Sequence, residues 1–278
     1  MQEAVALSNG VCMPLVGFGT YRIRGRETIF SVIKAALQAG YRSIDTAAVY
    51  GNESDIGEAL QQCMPELGLT RKDIFITSKL SPCDQGREEC KQAFSLSLSN
   101  LKLDYLDLFL IHWPGVHKLK PDDPRNRELR NQSWASLEQI YKSGKVRAIG
   151  VSNYTVSHLE DLQHATVLPH VNQVEYHPHY LQKELKQFCK SQGIHFQAYS
   201  SLGTTVKENP LLQDPSVIRL ANKHSCSPAQ ILLCWATQQG VSVLPKSTNE
   251  EHIRENIQLN FELSTEDLGA LSNININS

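Results

Sequence analysis

The run LDLFLIHWP, residues 106–114, is apolar from Leu106 to Ile111 except at Asp107, and it breaks at His112, Trp113 and Pro114. A strand with one face in water alternates apolar and polar residues. A strand covered on both faces, as in a parallel sheet flanked by helices, does not. This run therefore reads as a buried parallel strand. Seven more short runs read the same way, at residues 15–19, 42–45, 74–79, 148–152, 171–174, 194–199 and 241–244. Between them lie segments with apolar residues at helical spacing: 28–38, 54–63, 88–100, 132–142, 156–163, 182–191 and 228–237. Gly40, Gly144 and Gly193 follow three of these and suit helix C-caps. Eight strands alternating with helices predict a (β/α)8 TIM barrel, with a doubly wound sheet as the alternative. Residues 5–13, turning at Ser8, Asn9 and Gly10, predict an N-terminal β-hairpin that closes the bottom of the barrel.

The chain has 278 residues, 41% hydrophobic and 20% charged, enough for a large core. No linker or low-complexity tract interrupts it, so residues 1–278 are expected to form a single domain. A formal net charge of -2 gives no bulk attraction to nucleic acid or an anionic membrane, and neither is expected as a partner. The basic cluster of Arg22, Arg24 and Arg26 reads as a solvated loop. Seven cysteines, an odd number without a C-x-x-C, argue against a disulfide framework or structural zinc and for a reducing compartment. The N-terminus carries Glu3 and no long apolar run, and no stretch of about 18 apolar residues occurs. A cytoplasmic protein is expected.

Barrel active sites form at the C-terminal ends of the strands. Read in order, those ends carry Asp45, Lys79, His112 with Trp113, Ser152 with Asn153, Gln173 or Glu175, Tyr199 with Ser200, and Lys246 with Ser247. Three consecutive strands thus end in ionisable residues, and Tyr50 lies in the loop after Asp45. A free tyrosine, with a pKa of about 10, is a poor acid at neutral pH. A nearby lysine stabilises the phenolate and lowers that pKa, a carboxylate keeps the lysine charged, and a histidine can orient a substrate oxygen. Asp45, Tyr50, Lys79 and His112 therefore describe a site that protonates oxygen, as carbonyl reduction requires. No side chain supplies hydride, so a cofactor is needed. The segment 17–22 lacks a dinucleotide-binding glycine fingerprint. Residues 246–249, a cation followed by hydroxyls and an amide, fit either a phosphate site or an ordinary cap for a helix starting near Glu250. His177 and His179 form a His-x-His pair, but no further histidine or aspartate ligands stand at the later strand ends, and no metal is expected.

The stretches GFGTYR, GYRSIDTAAVYGNE, ITSKL, LDLFLIHWP, VRAIGVSNY, NQVEYHP, AYSSLG and LPKSTNEEHIRENI resemble, in order, the motifs of the aldo-keto reductase family. The resemblance covers nearly the whole chain. It implies a barrel that binds NADP(H) and reduces aldehydes and ketones, with Tyr50 as general acid, Lys79 lowering its pKa, Asp45 paired to Lys79, and His112 orienting the carbonyl. It also implies that Ser152, Asn153 and Gln173 hold the nicotinamide carboxamide while Tyr199 stacks on the ring. Thr20, Ser200, Leu202, Lys246, Ser247, Arg254 and Asn256 would complete the cofactor site, and Tyr21, Trp113 and His112 the substrate pocket. Where NADP-preferring members carry an arginine, this chain has His252. Arg254 is two residues on, turned by about 200° on a helix. The segment 204–215 is short, and the chain ends soon after Leu271. Both features resemble the members that reduce glyoxals, diketo sugars and assorted aldehydes, and the prostaglandin F synthase-like members. They predict an open, permissive pocket and a monomer. A second implied role is an NADP(H)-binding regulatory or structural protein with little turnover.

Overall fold

The computed structural model describes residues 3–203 and 209–274. Part of the short segment 204–215 therefore lies outside the described residues. The eight strands expected from the sequence are all present as one parallel sheet: β3 (Phe18–Gly19), β4 (Ser43–Asp45), β5 (Phe75–Leu80), β6 (Leu106–Ile111), β7 (Val146–Ser152), β8 (Val171–Glu175), β9 (His195–Tyr199) and β10 (Ser242–Val243). Neighbours in sequence are neighbours in space, β3 through β10. The first and last strands meet through a parallel bridge between Val16 and Val243. Gly17 N donates to Val243 O (2.8 Å), Val243 N to Leu15 O (2.7 Å) and Gly19 N to Pro245 O (3.0 Å). The sheet is thereby closed into a barrel. Among the described residues, none of the eight barrel strands is left as an edge.

Strand β6 shows why its run is nearly all apolar. Leu108 and Leu110 join a cluster inside the barrel, while Phe109 and Ile111 join the larger layer beneath the helices. Both faces are buried, so both are apolar. The predicted hairpin is formed by β1 (Ala4–Ala6) and β2 (Cys12–Pro14), which pair antiparallel. Its Leu7 and Met13 pack against Phe75, Leu108, Leu110, Ala148 and Val171, which plugs the interior from one end.

Helices cover the outside: α1 (Arg26–Ala39), α2 (Glu53–Glu66), α3 (Arg87–Leu101), α4 (Arg125–Lys142), α5 (Val156–Glu160), α6 (Lys183–Ser191), α7 (Pro215–His224), α8 (Pro228–Thr237), α9 (Glu250–Glu255) and α10 (Thr265–Ser272). In α1 the stripe Ile29, Val32, Ile33, Ala36 and Leu37 is buried, as its spacing predicts. Gly40 ends that helix at φ 104°, a conformation only glycine adopts at little cost.

Helices α4 and α10 differ from the sequence reading. Helix α4, expected over 132–142, starts earlier, at Arg125. The Asp123 carboxylate accepts from Arg125 N (3.0 Å), and Asn126 bridges back to Val116 N (2.8 Å) and Lys120 O (2.7 Å). Local side-chain bonds start the helix where apolar periodicity is still weak. Helix α10 was not anticipated, although Ser264 and Asp267 form a reciprocal capping box.

Candidate active site

Strand alternation aims the predicted residues into the barrel mouth. Phe75 of β5 lies in the interior cluster and Ile76 and Leu80 in the outer layer, so Lys79 faces inward. By the same parity Asp45 points in beside outward Ile44. Gln173 points in two residues after interior Val171, and Gln197 and Tyr199 flank outward Ala198. His112 continues the inward series of Leu108 and Leu110.

The Lys79 ammonium is fully buried, and each of its three protons has an acceptor: Asp45 Oδ1 at 2.5 Å, Thr46 O at 2.9 Å and the Tyr50 hydroxyl oxygen at 3.3 Å. Burial works to lower the lysine pKa, but the charges of Asp45 and Tyr50 and their hydrogen bonds outweigh it, and the net shift is upward. At Tyr50 burial prevails instead. It pushes the phenol above its ordinary 10 against the downward pull of Lys79. The sequence predicts a lowered value here; the sign reverses because a phenolate in this pocket loses more hydration than one ammonium, already shared with Asp45, returns. The phenol is therefore neutral and carries its proton at any physiological pH. Burial, aided by the Lys79 charge, pushes His112 down to about 3, so its imidazole is also neutral. Its Nδ1 is buried without a hydrogen-bond partner among the described residues. The Tyr50 ring lies edge-on to His112 (centroids 5.7 Å) and 5.1 Å from the Tyr21 ring.

The backbone around Tyr50 is not the open loop that its sequence predicts. Ala48–Tyr50 form a turn of 3₁₀ helix, closed by Tyr50 N donating to Ala47 O (3.0 Å). Asn52, buried at the far end, clamps the segment. It accepts from Thr46 Oγ1 (2.7 Å) and donates to Thr20 O (3.0 Å) and Ile23 O (3.1 Å). Thr20 in turn donates its hydroxyl to Asp45 O (2.9 Å). The first and second strand ends are thus tied together around the phenol.

These groups open onto a cavity of about 740 Å³. Tyr21, Val49, Tyr50, His112 and Trp113 line it on one side, and Ser152, Asn153, Gln173, Tyr199, Ser200 and Leu202 on another. It runs on to Lys246 and His252. Tyr21, Val49 and Trp113 are about half exposed there. The polar side is interlocked: Tyr199 donates to Asn153 Oδ1 (2.7 Å), Asn153 Nδ2 to His112 O (2.9 Å), and Ser152 Oγ to Gln173 O (2.8 Å). Asn153 and Ser200 hold φ of 63° and 51°, left-handed conformations that non-glycine residues adopt at a cost and that concentrate at ligand sites. A Cβ on Gly19 would stand 3.0 Å from Leu244 O and 3.6 Å from Lys246 Cβ, so glycine is what lets the cavity floor close there. The cavity thus carries a neutral acid, Tyr50, and a lysine, Lys246, on its lining.

Of the residues expected to bind cofactor, Thr20, Ser152, Asn153, Gln173, Tyr199, Ser200, Leu202 and Lys246 line this cavity. Ser247, Arg254 and Asn256 do not. Ser247 Oγ accepts from Asn249 N (3.0 Å), Arg254 is exposed and Asn256 is buried. Asn249 caps α9 by accepting from Glu251 N and His252 N, so the capped-helix reading of 246–249 holds. It is His252, not Arg254, that reaches the cavity wall. Val49, Asn209 and Leu212 also line it and were not anticipated. Val49 sits between Asp45 and Tyr50 and could have been found from that position; the other two come from a loop without a pattern. His177 and His179 pair instead with Glu175 (3.1 Å) and Asp214 (3.4 Å). Among the described residues no cluster is placed to hold a metal, and no helix is long and apolar enough to cross a membrane.

The chain is similar to known proteins over nearly its whole length. The Aldo/keto reductase family matches residues 15–276. A glyoxal reductase from Bacillus subtilis (strain 168) is 44% identical over 277 residues, covering 99% of this chain and 94% of the relative. A glycerol 2-dehydrogenase (NADP(+)) from Saccharomyces cerevisiae is 38% identical over 292 residues, covering 98% and 90%. The crystal structure of an aldo-keto reductase enzyme from a Medee basin deep-sea metagenome library superposes with a TM-score of 0.88 at 37% identity, covering 96% of this chain and 93% of that one. The chain belongs to the aldo-keto reductase family and is a nicotinamide-dependent oxidoreductase.

Proposed function

We propose that this protein reduces small aldehydes and ketones to alcohols with NADPH, and that Tyr50 is the general acid. The observation that carries the reading is the buried Asp45–Lys79–Tyr50 chain at the head of the cavity, with neutral His112 beside it. The bound nicotinamide supplies the hydride. The chain's own residues handle the oxygen. His112, uncharged, offers an N–H to the carbonyl and turns it toward Tyr50. The Tyr50 hydroxyl donates its proton as negative charge develops on that oxygen, and an alkoxide is a far stronger base than a phenolate. Lys79 then lies 3.3 Å from the phenolate oxygen and stabilises it, while Asp45 and Thr46 O keep the ammonium aimed. A raised phenol pKa suits this order, since no proton is lost before the substrate oxygen becomes basic.

Ser152, Asn153 and Gln173 would hold the carboxamide, and Tyr199 the nicotinamide ring. Ser200 and Leu202 would meet the pyrophosphate, and His252, on the cavity wall, the adenosine end. Lys246, a cation on the cavity wall, favours the 2'-phosphate, and the relative named for NADP(+) supports that preference. Tyr21, Val49 and Trp113 make an open, half-exposed rim, which supports small and varied carbonyls such as glyoxals.

The test is Tyr50→Phe. Aldehyde-dependent NADPH oxidation is expected to fall by about 10²–10⁴-fold while NADPH binding and the thermal midpoint stay close to wild type. Equal rates in the two proteins would refute the assignment.

A further inference from the structure

Gln197 is buried at the heart of the barrel, 2% exposed, and no step so far uses it. Strand register pairs it with Gln173 across β8 and β9, and parity puts both side chains on the inner face. Gln173 Nε2 donates to two acceptors at once, Asp45 Oδ2 at 2.8 Å and Gln197 Oε1 at 2.8 Å. Asp45 pairs through its other oxygen with Lys79 and, as a carboxylate, can only accept. Gln173 must therefore turn its nitrogen toward Asp45. That nitrogen then faces Gln197, which must turn its oxygen. Gln197 Nε2 is left pointing at Met13 Sδ of the hairpin, 3.9 Å away. Both hydrogens of the Gln173 amide are committed. Its Oε1 accepts no hydrogen bond from the described residues, and Gln173 lines the cavity.

One bond to Asp45 would let the Gln173 amide pivot about that single axis. Two bonds from one nitrogen fix its plane. We propose that Gln197 is a positioning residue: its carbonyl locks the Gln173 amide so that Oε1 is held as the acceptor for the amino hydrogens of the nicotinamide carboxamide. This rests on the carboxamide site proposed above. It also joins cofactor recognition to the acid, because the atom that orients Gln173 belongs to the carboxylate that aims Lys79.

The experiment compares binding of NADP⁺ and its 3-acetylpyridine analogue, which keeps the carbonyl but has a methyl group in place of the amino group. Dissociation constants come from quenching of tryptophan fluorescence, so turnover is not needed. Wild type is expected to bind the analogue about three- to tenfold more weakly, the worth of one neutral hydrogen bond. In Gln197→Met, an apolar side chain of similar length, that ratio is expected to fall to about twofold or less. In Gln197→Glu, which keeps an acceptor in place, it is expected to persist. A merely structural role for Gln197 would weaken both ligands alike and leave the ratio unchanged, and an unchanged ratio in Gln197→Met overturns the inference. Gln197→Leu makes the same comparison should the methionine variant not fold. Loss of the ratio in the glutamate variant as well would also overturn it. If wild type itself does not discriminate, the carboxamide reading fails first, and this arm separates the two failures.

Discussion

Buried polar atoms in this molecule differ in whether they are answered. Asp107, 1% exposed, accepts from Arg71 (2.7 Å), Arg147 (2.8 Å) and the Ile76 backbone (2.9 Å), and Lys79 has all three protons placed. Tyr41 is different. Its ring packs edge-on to Phe18, and its hydroxyl is buried with no partner among the described residues. A donor removed from water without a partner costs stability, so deleting it should help. Tyr41→Phe is expected to raise the urea midpoint, with a gain of up to about 1 kcal/mol. A lower midpoint would mean that the hydroxyl is satisfied in solution. Tyr50 lies nine residues on in the same stretch, and its hydroxyl is answered by Lys79. Residue type was legible at both positions; which hydroxyl has a partner was not, because the partner comes from another strand.

Among elements, α2 and α3 meet backbone to backbone near the site. A Cβ on Gly57 would stand 2.6 Å from Asn100 O and Leu101 C and 2.7 Å from Leu101 O, all backbone atoms that cannot rotate aside. On the same helix, Glu53 accepts from Ser78 Oγ (2.6 Å) and Asn100 Nδ2 (3.3 Å). The pair of helices is thus pinned to the strand that carries Lys79. Gly57→Ala is expected to cost about 1–3 kcal/mol, read as a lower urea midpoint, despite alanine's better helix propensity. An unchanged midpoint would show that α3 can move away freely. The strands and most helices were readable from periodicity, since each has a buried stripe. Helix α10 and the first turns of α4 were not, because caps and loop bonds set those ends.

The whole molecule should be sensitive to acid through its buried imidazoles. Burial pushes His112 down to about 3 and His195 down to about 4, and it lowers His170 as well. An unfolded histidine titrates near 6.5. Below that value the unfolded chain takes up protons that the folded chain refuses, so the stability present above about pH 6.5 is lost as pH falls toward 3–4. His112 and His195 each contribute a slope of roughly 1.4 kcal/mol per pH unit across the window between the two values. Urea midpoints at about pH 7.5, 5.5 and 4.5 should fall in that order. A flat series would mean that these rings are already charged in the fold.

By itself the sequence determined the barrel, its hairpin plug and the strand ends that carry Asp45, Lys79, His112, Ser152 and Tyr199. Covered strands and amphipathic helices leave a period that any single stretch displays. It also pointed to Tyr50, through the loop that follows Asp45. Only the tertiary structure decided that burial outweighs Lys79 in setting the phenol's acidity, and that His252 rather than Arg254 faces the cavity. It alone decided that Gln197 stands behind Gln173. Desolvation, side-chain aim and cross-strand register are properties of the closed barrel, and no local pattern encodes how far each residue lies from water or from a partner on another strand.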